Sequence, residues 1–190
     1  PIDYNGMEAD LYIITNVTEK IKNERKLEAL SMVDELTKLG NRRMMVKENN
    51  DLVFPYVKAG NEAFLAMLDL DDFKIANDKY GHSYGDAVLK NIASIFTKNK
   101  RNDILVYRVG GDEFAFIFLN HSQNEVIEKL KDLQKEVETF NYDKKISISF
   151  SAGVTSIKIN DQNRRFSDYY DKADKLLYKS KKQGKHSINV

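Results

Sequence analysis

The sequence predicts a mixed α/β fold of the α+β type, in which helices pack on one central sheet. Three observations lead there. Strand-like and helix-like runs interleave along the chain. Two strand-like runs, 104–107 and 114–119, are separated only by a turn holding Gly110 and Gly111, so they form a hairpin. The helical runs carry apolar residues at a spacing near 3.6, which leaves each one face to bury against the sheet. A hairpin inside the alternation argues against a doubly wound parallel fold.

Residues 9–17 read as one strand, and 19–33 as a charged helix with Ile21, Leu27, Leu30 and Val33 as its apolar positions and Thr18 at the N-cap. Residues 63–68 are almost wholly apolar and end at Asp69, the pattern of a strand buried on both faces. A helix follows over 83–97, with Val88, Leu89, Ile92, Ile95 and Phe96 inward. After the hairpin, Val126, Leu130, Leu133, Val137 and Phe140 mark a long amphipathic helix. Ile146, Ile148 and Phe150 alternate with Ser147, Ser149 and Ser151, which reads as a strand with one polar face. Tyr170, Ala173, Leu177 and Ser180 mark a last helix, and a short strand is expected over 188–190.

The composition narrows the function. With 190 residues the chain can build one domain with a real core and a short appendage. Its 42% hydrophobic and 31% charged residues are those of a globular protein. No Cys is present, which excludes disulfides, thiolate metal sites and thiol nucleophiles. His82, His121 and His186 are too scattered for a His-rich metal site. A net charge of +1 argues against nucleic acid as a partner, and no apolar run is long enough to span a bilayer, so no membrane contact is expected of this segment. The chain opens on Pro1 without a signal segment, as an excised piece of a longer protein would.

The carboxylates hold the chemistry. Asp69, Asp71 and Asp72 follow a buried strand directly, and Asp112 and Glu113 sit at the hairpin tip. If the strands are neighbours, the two acidic groups converge and repel unless a cation lies between them. Mg²⁺ is the natural occupant, since it takes oxygen ligands and shares its shell with substrate phosphates. Each group taken alone reads first as solvation of a strand end or turn, and only its place after a strongly apolar strand favours the functional reading. Gly110 and Gly111 let the backbone take positive φ and approach a ligand closely. Lys74 and Lys181 are candidate phosphate contacts. Asn77 offers an amide donor, and Asp86 an acceptor for an N1–H and an exocyclic amine, a pattern that belongs to guanine. Asp86 serves equally as an acid at a helix N-terminus.

The run Arg108-Val109-Gly110-Gly111-Asp112-Glu113-Phe114 resembles the signature of the GGDEF family of diguanylate cyclases. Four further stretches agree in order and spacing: 34–43, 69–86, 149–154 and 173–184. The resemblance covers about 31–190 and implies a palm-like nucleotidyl-cyclase fold, with a central, mainly antiparallel five-stranded sheet wrapped by helices. It implies condensation of two GTP to cyclic di-GMP with release of two pyrophosphates, dependent on Mg²⁺ or Mn²⁺, between two domains of a transient homodimer. It makes Asp69, Asp112 and the Leu70 carbonyl metal ligands, and Glu113 a ligand or catalytic carboxylate. It sets Asn77 and Asp86 on guanine, and Phe73, Lys74 and Lys181 on the phosphates. A catalytically silent module that binds GTP or cyclic di-GMP is the alternative.

Residues 1–18 look similar to the end of a PAS-like sensor, which makes 19–33 a signalling linker, 34–190 the cyclase domain and the chain the cytoplasmic part of a sensor protein. Three departures from the family pattern stand out. Gly40 replaces a common Pro. Lys185-His186 replaces Arg-Asn, from which weaker phosphate or fold contacts are expected. Arg101 and Asp103 lack the spacing of the family's inhibitory product site, so feedback inhibition is expected to be weak or absent.

Overall fold

The computed structural model describes residues 2–4, 7–9, 32–140, 142, 147–158 and 165–190. The chain divides into two units, Pro1–Ser31 and Met32–Val190. In the first, β1 (Ile2–Tyr4) and β2 (Met7–Ala9) form an antiparallel hairpin. The strand expected over 9–17 and the helix expected over 19–33 lie outside the described residues, except at their ends. Ala9 closes β2, and Val33 makes an antiparallel bridge to Gly40, so the chain is extended there and not helical.

The second unit runs β3 (Gly40–Asn41), α1 (Arg42–Glu48), a π-helical turn (Asn49–Val53), α2 (Phe54–Lys58), β4 (Ala63–Asp71), α3 (Phe73–Tyr80), α4 (His82–Asn99), β5 (Ile104–Gly110), β6 (Glu113–Leu119), α5 (Gln123–Thr139), β7 (Ser149–Ile157), α6 (Phe166–Lys182) and β8 (Ile188–Asn189). Its strands form one sheet in the order β3-β5-β6-β4-β7-β8. The four long strands pair antiparallel, and the two short edge strands pair parallel. The sheet thus has six strands where five were expected. The addition, β3, is two residues long and too short to show any periodicity.

Alternation along the strands sorts side chains into two layers. Phe64, Ala66, Leu68 and Leu70 of β4 join Phe114, Phe116 and Phe118 of β6 on one face, packed under α4 and α5. Leu65 and Met67 join Ala115 and Ile117 on the other, under α1, α2 and α6. Because both faces are covered, β4 and β6 read as continuous apolar runs. The polar face of β7 is covered as well: Ser149 and Ser151 are buried at 9% and 0% exposure.

Local chemistry places the elements. Asn41 caps α1 by accepting from the N–H groups of Arg43 and Met44. Ser122 and Glu125 form a reciprocal capping box on α5. A Cβ at Gly40 would lie 2.8 Å from the Tyr107 ring and 2.9 Å from Met44 Sδ, so a side chain there conflicts with this core. Gly153 is tighter still. A Cβ there would lie 2.1 Å from the Ala173 carbonyl and 2.2 Å from the Leu177 nitrogen, because α6 rests directly on the backbone of β7. Gly153→Ala is therefore expected to lower stability by about 2 kcal/mol in urea unfolding through overpacking. An unchanged midpoint would contradict this close seating of α6.

Candidate active site

The site forms where β4 ends. Asp69 follows Leu65 and Met67 on the α6 face, and the antiparallel register sets it directly opposite Glu113, the first residue of β6. Opposed residues of this kind carry their Cβ atoms about 5 Å apart on one face. The intervening turn brings Asp112 alongside, and its carbonyl accepts from the Leu70 N–H at 3.2 Å. The condition set by the sequence, that both acidic groups meet at one sheet edge, is satisfied by this pairing. Of the two glycines, only Gly111 needs positive φ (+43°); a Cβ at either would meet nothing within 4 Å, so the turn is open to an approaching ligand.

The carboxylates perturb one another. Burial pushes the Asp69 carboxyl up to about 6; the nearby Asp112 and Glu113 charges add to this, while Lys181 opposes it. Glu113 is raised too, by burial and then by Asp174 and Asp112, with Lys181 and Arg42 opposing. Lys181, near the end of α6, holds Asp69 Oδ2 at 2.5 Å. Asp69 Oδ1 is buried and accepts no hydrogen bond. Among the described residues no three acidic or imidazole side chains close into a metal cage. An orphaned, desolvated carboxylate oxygen beside two further carboxylates nonetheless fits a magnesium-type ion, which keeps much of its shell for water and phosphate.

The hairpin is braced from behind. Arg108 donates to the Gly111 carbonyl through Nε (3.0 Å) and Nη2 (2.7 Å), and through Nη1 to both oxygens of Asp34 (3.0 and 3.2 Å). Asp34 also accepts from the Thr37 N–H and hydroxyl. Burial alone would raise its carboxyl, but the hydrogen bonds from Thr37 and Arg108 hold it below its ordinary range.

Asn77 and Asp86 are brought together where α3 meets α4. Gly81, at φ +87°, turns the chain between them. Asn77 Oδ1 lies over Gly85, within 1.8 Å of where a Cβ would stand, and is buried without a hydrogen bond. Asp86 is the next residue and is exposed. Lys74 is exposed on the first turn of α3. The Phe73 ring is not on the open side: it is 7% exposed and belongs to the core, so only its backbone is available to a phosphate. Arg101 and Asp103 lie at the far end of β5, a span of roughly 20 Å from the hairpin tip. They flank a tight turn closed by Arg101 and Ile104, and Asp103 faces His121 at 3.7 Å.

Sequence reasoning missed the role of Asp71. It is 6% exposed and accepts from Ser151 (2.9 Å), from Ser149 (3.0 Å) and from the His186 N–H (2.9 Å). Lys185 pairs with Asp72 at 2.5 Å on the surface beside it. The two serines opposite an acidic strand end were the available signal. Arg42, Tyr170 and Asp174 also act on the Glu113 region, with Arg42 stacked 5.0 Å over the Tyr170 ring. They were missed because their helices meet the hairpin only in three dimensions.

The family model described as "Diguanylate cyclase, GGDEF domain" matches residues 31–187. The chain belongs to the GGDEF family. Diguanylate cyclase A of Treponema denticola is 35% identical over 129 residues, 66% of this chain and 34% of its own length. An uncharacterised membrane protein of Staphylococcus aureus is 28% identical over 183 residues, 94% of this chain and 49% of its own. The chain thus spans half or less of the length of these curated relatives. The GGDEF domain of DgcB from Caulobacter crescentus, solved with c-di-GMP, superposes with a TM-score of 0.78 at 28% identity, covering 84% of this chain and 95% of that one. Diguanylate cyclase SiaD of Pseudomonas aeruginosa, solved with its activator SiaC, gives 0.76 at 29% identity, covering 90% and 66%. These GGDEF structures share the mixed α/β fold described above. Among the described residues no helix is long and apolar enough to cross a membrane.

The raised Asp69 value has a consequence for stability. Its folded value of about 6 lies above the ordinary 3.8, so its stabilising contribution is full below the lower value and is lost as pH rises through the higher one. In cation-free buffer, Asp69→Asn should therefore gain thermal stability relative to wild type between pH 4 and 7. Parallel Tm profiles for the two proteins would count against the desolvated carboxylate.

Proposed function

We propose that the chain is a diguanylate cyclase, each domain holding one GTP and two domains meeting transiently to condense them into cyclic di-GMP. The observation that supports this most is the Asp69–Glu113 cross-strand pair, with Asp112 alongside and Lys181 against it. On this reading, residues 34–190 are the cyclase domain, and 1–33 are the end of a PAS-like sensor and its linker.

The 3′-hydroxyl of each GTP attacks the α-phosphate of the other; the α–β bridging bond breaks, pyrophosphate leaves, and the hydroxyl proton is given up. Asp69, Asp112, Glu113 and the Leu70 carbonyl would hold Mg²⁺ or Mn²⁺, which when bound offsets phosphate charge and makes the alkoxide easier to form. If Glu113 stays off the cation, its affinity for a proton, raised by burial, suits it to receive the one released. Lys74, Lys181 and the backbone at Phe73 bind the triphosphate, and Gly110 and Gly111 leave room for the two substrates to close together. The Asn77 carboxamide and the Asp86 carboxylate read the guanine edge.

Incubation with GTP and Mg²⁺, with products separated by chromatography, should yield cyclic di-GMP at a rate per chain that rises with protein concentration, because pairing the domains brings the substrates together. Glu113→Gln should reduce turnover by about 10³-fold or more while GTP binding survives. GTP binding without product at every concentration would make the chain a silent regulatory module instead.

Asp86→Ala should weaken GTP binding or admit other purines, and equal GTP affinity with unchanged base choice would remove Asp86 from the guanine site. Added cyclic di-GMP should inhibit little, since Arg101 and Asp103 are held in a tight turn with Asp103 facing His121. Inhibition abolished by Arg101→Ala would refute that.

A further inference from the structure

Two lysines, one in the last turn of α6 and one just after the helix, already have carboxylate partners at the end of β4 and the β4–α3 turn. Lys185 Nζ lies 2.5 Å from Asp72 Oδ1, with 46% and 48% of the two side chains exposed, so water and salt screen that pair. Lys181 differs: its partner Asp69 is only 13% exposed, and Lys181 itself 35%. Its ammonium holds one Asp69 oxygen, while the other is buried and without a donor. Asp112 and Glu113 add negative charge around the same point.

We infer that Lys181 is the resident counter-cation of Asp69, and that a divalent cation and a nucleoside triphosphate displace it together, the cation taking Asp69 and the freed ammonium going to the phosphates. The inference rests on the GTP reading above. One carboxylate cannot keep an ammonium at 2.5 Å and accept a divalent ion without strong repulsion between the two cations. A cation arriving alone strands the ammonium in a part-buried site. A triphosphate arriving alone meets carboxylates and a lysine that is already paired. Together, each supplies the partner the other displaces, and the two affinities rise by the same factor.

The test titrates Mn²⁺ and reads the free ion by electron paramagnetic resonance, with and without the α-thio analogue of GTP. Wild type is compared with Lys181→Met, Lys181→Gln, Lys181→Arg and Lys179→Met, each checked by circular dichroism. Without nucleotide, Lys181→Met and Lys181→Gln should bind Mn²⁺ at least about fivefold more tightly than wild type, and the mutual enhancement by nucleotide should shrink. Lys179→Met, which removes the same charge from the same helix, should stay within about twofold of wild type, as should Lys181→Arg. Equal or weaker Mn²⁺ binding by both neutral Lys181 variants, or the same gain in Lys179→Met, overturns the inference while leaving the cyclase reading intact. Failure of wild type to take up the analogue at saturating Mn²⁺ overturns the cyclase reading and the exchange with it.

Discussion

The candidate site depends on one electrostatic constraint: a carboxylate is buried at the end of a central strand, beside two others. Asp69 continues the inward-facing series of β4, so the alternation that fills the core with Leu65 and Met67 also drives a charge into low dielectric. Such a group stays charged at neutral pH most readily with positive charge close by. The fold answers with Lys181, delivered by a helix whose own apolar stripe, Phe166, Tyr169, Ala173 and Leu177, seats it on the same face. Core packing and site assembly are thus one geometric event.

Around that centre, neighbouring carboxylates have different duties. Asp71, two residues on and on the same face, is fully hydrogen-bonded by two serines and a backbone N–H, which leaves it no free acceptor comparable to Asp69 Oδ1. It ties β4 to β7 and to the segment before β8. Asp72 adopts a left-handed φ of +59° and starts α3. A cluster that reads in sequence as three equivalent acids is, in space, one desolvated carboxylate with a free oxygen, one structural tie and one helix starter.

How much of this was legible follows from range. The two central strands, the hairpin and helices α4, α5 and α6 were readable because burial on one or both faces imposes a period, and the pairing of Asp69 with Glu113 followed once the hairpin was placed beside β4. The short pieces between Gly40 and Lys58 went largely unread: two residues of β3 and a π-helical turn carry no period to detect. Where the Phe73 ring points was not legible either: a helix beginning at that residue turns its first side chain into the core. The serine face of β7 was legible as polar but not as buried, because alternation reveals that two faces differ, not which lies in water.

The seating of α6 on Gly153 sets the mechanical tolerance of the centre. From Ala173, where the helix touches the strand backbone, to Lys181 is eight residues, about 12 Å of helix axis. A tilt of about 5° pivoting on that contact would swing the ammonium by about 1 Å, a displacement on the scale that degrades alignment of reacting groups. A hydrogen atom in place of a methyl group on one strand residue therefore works as the fulcrum of a lever, and the aim of a charge more than two helical turns away is decided there.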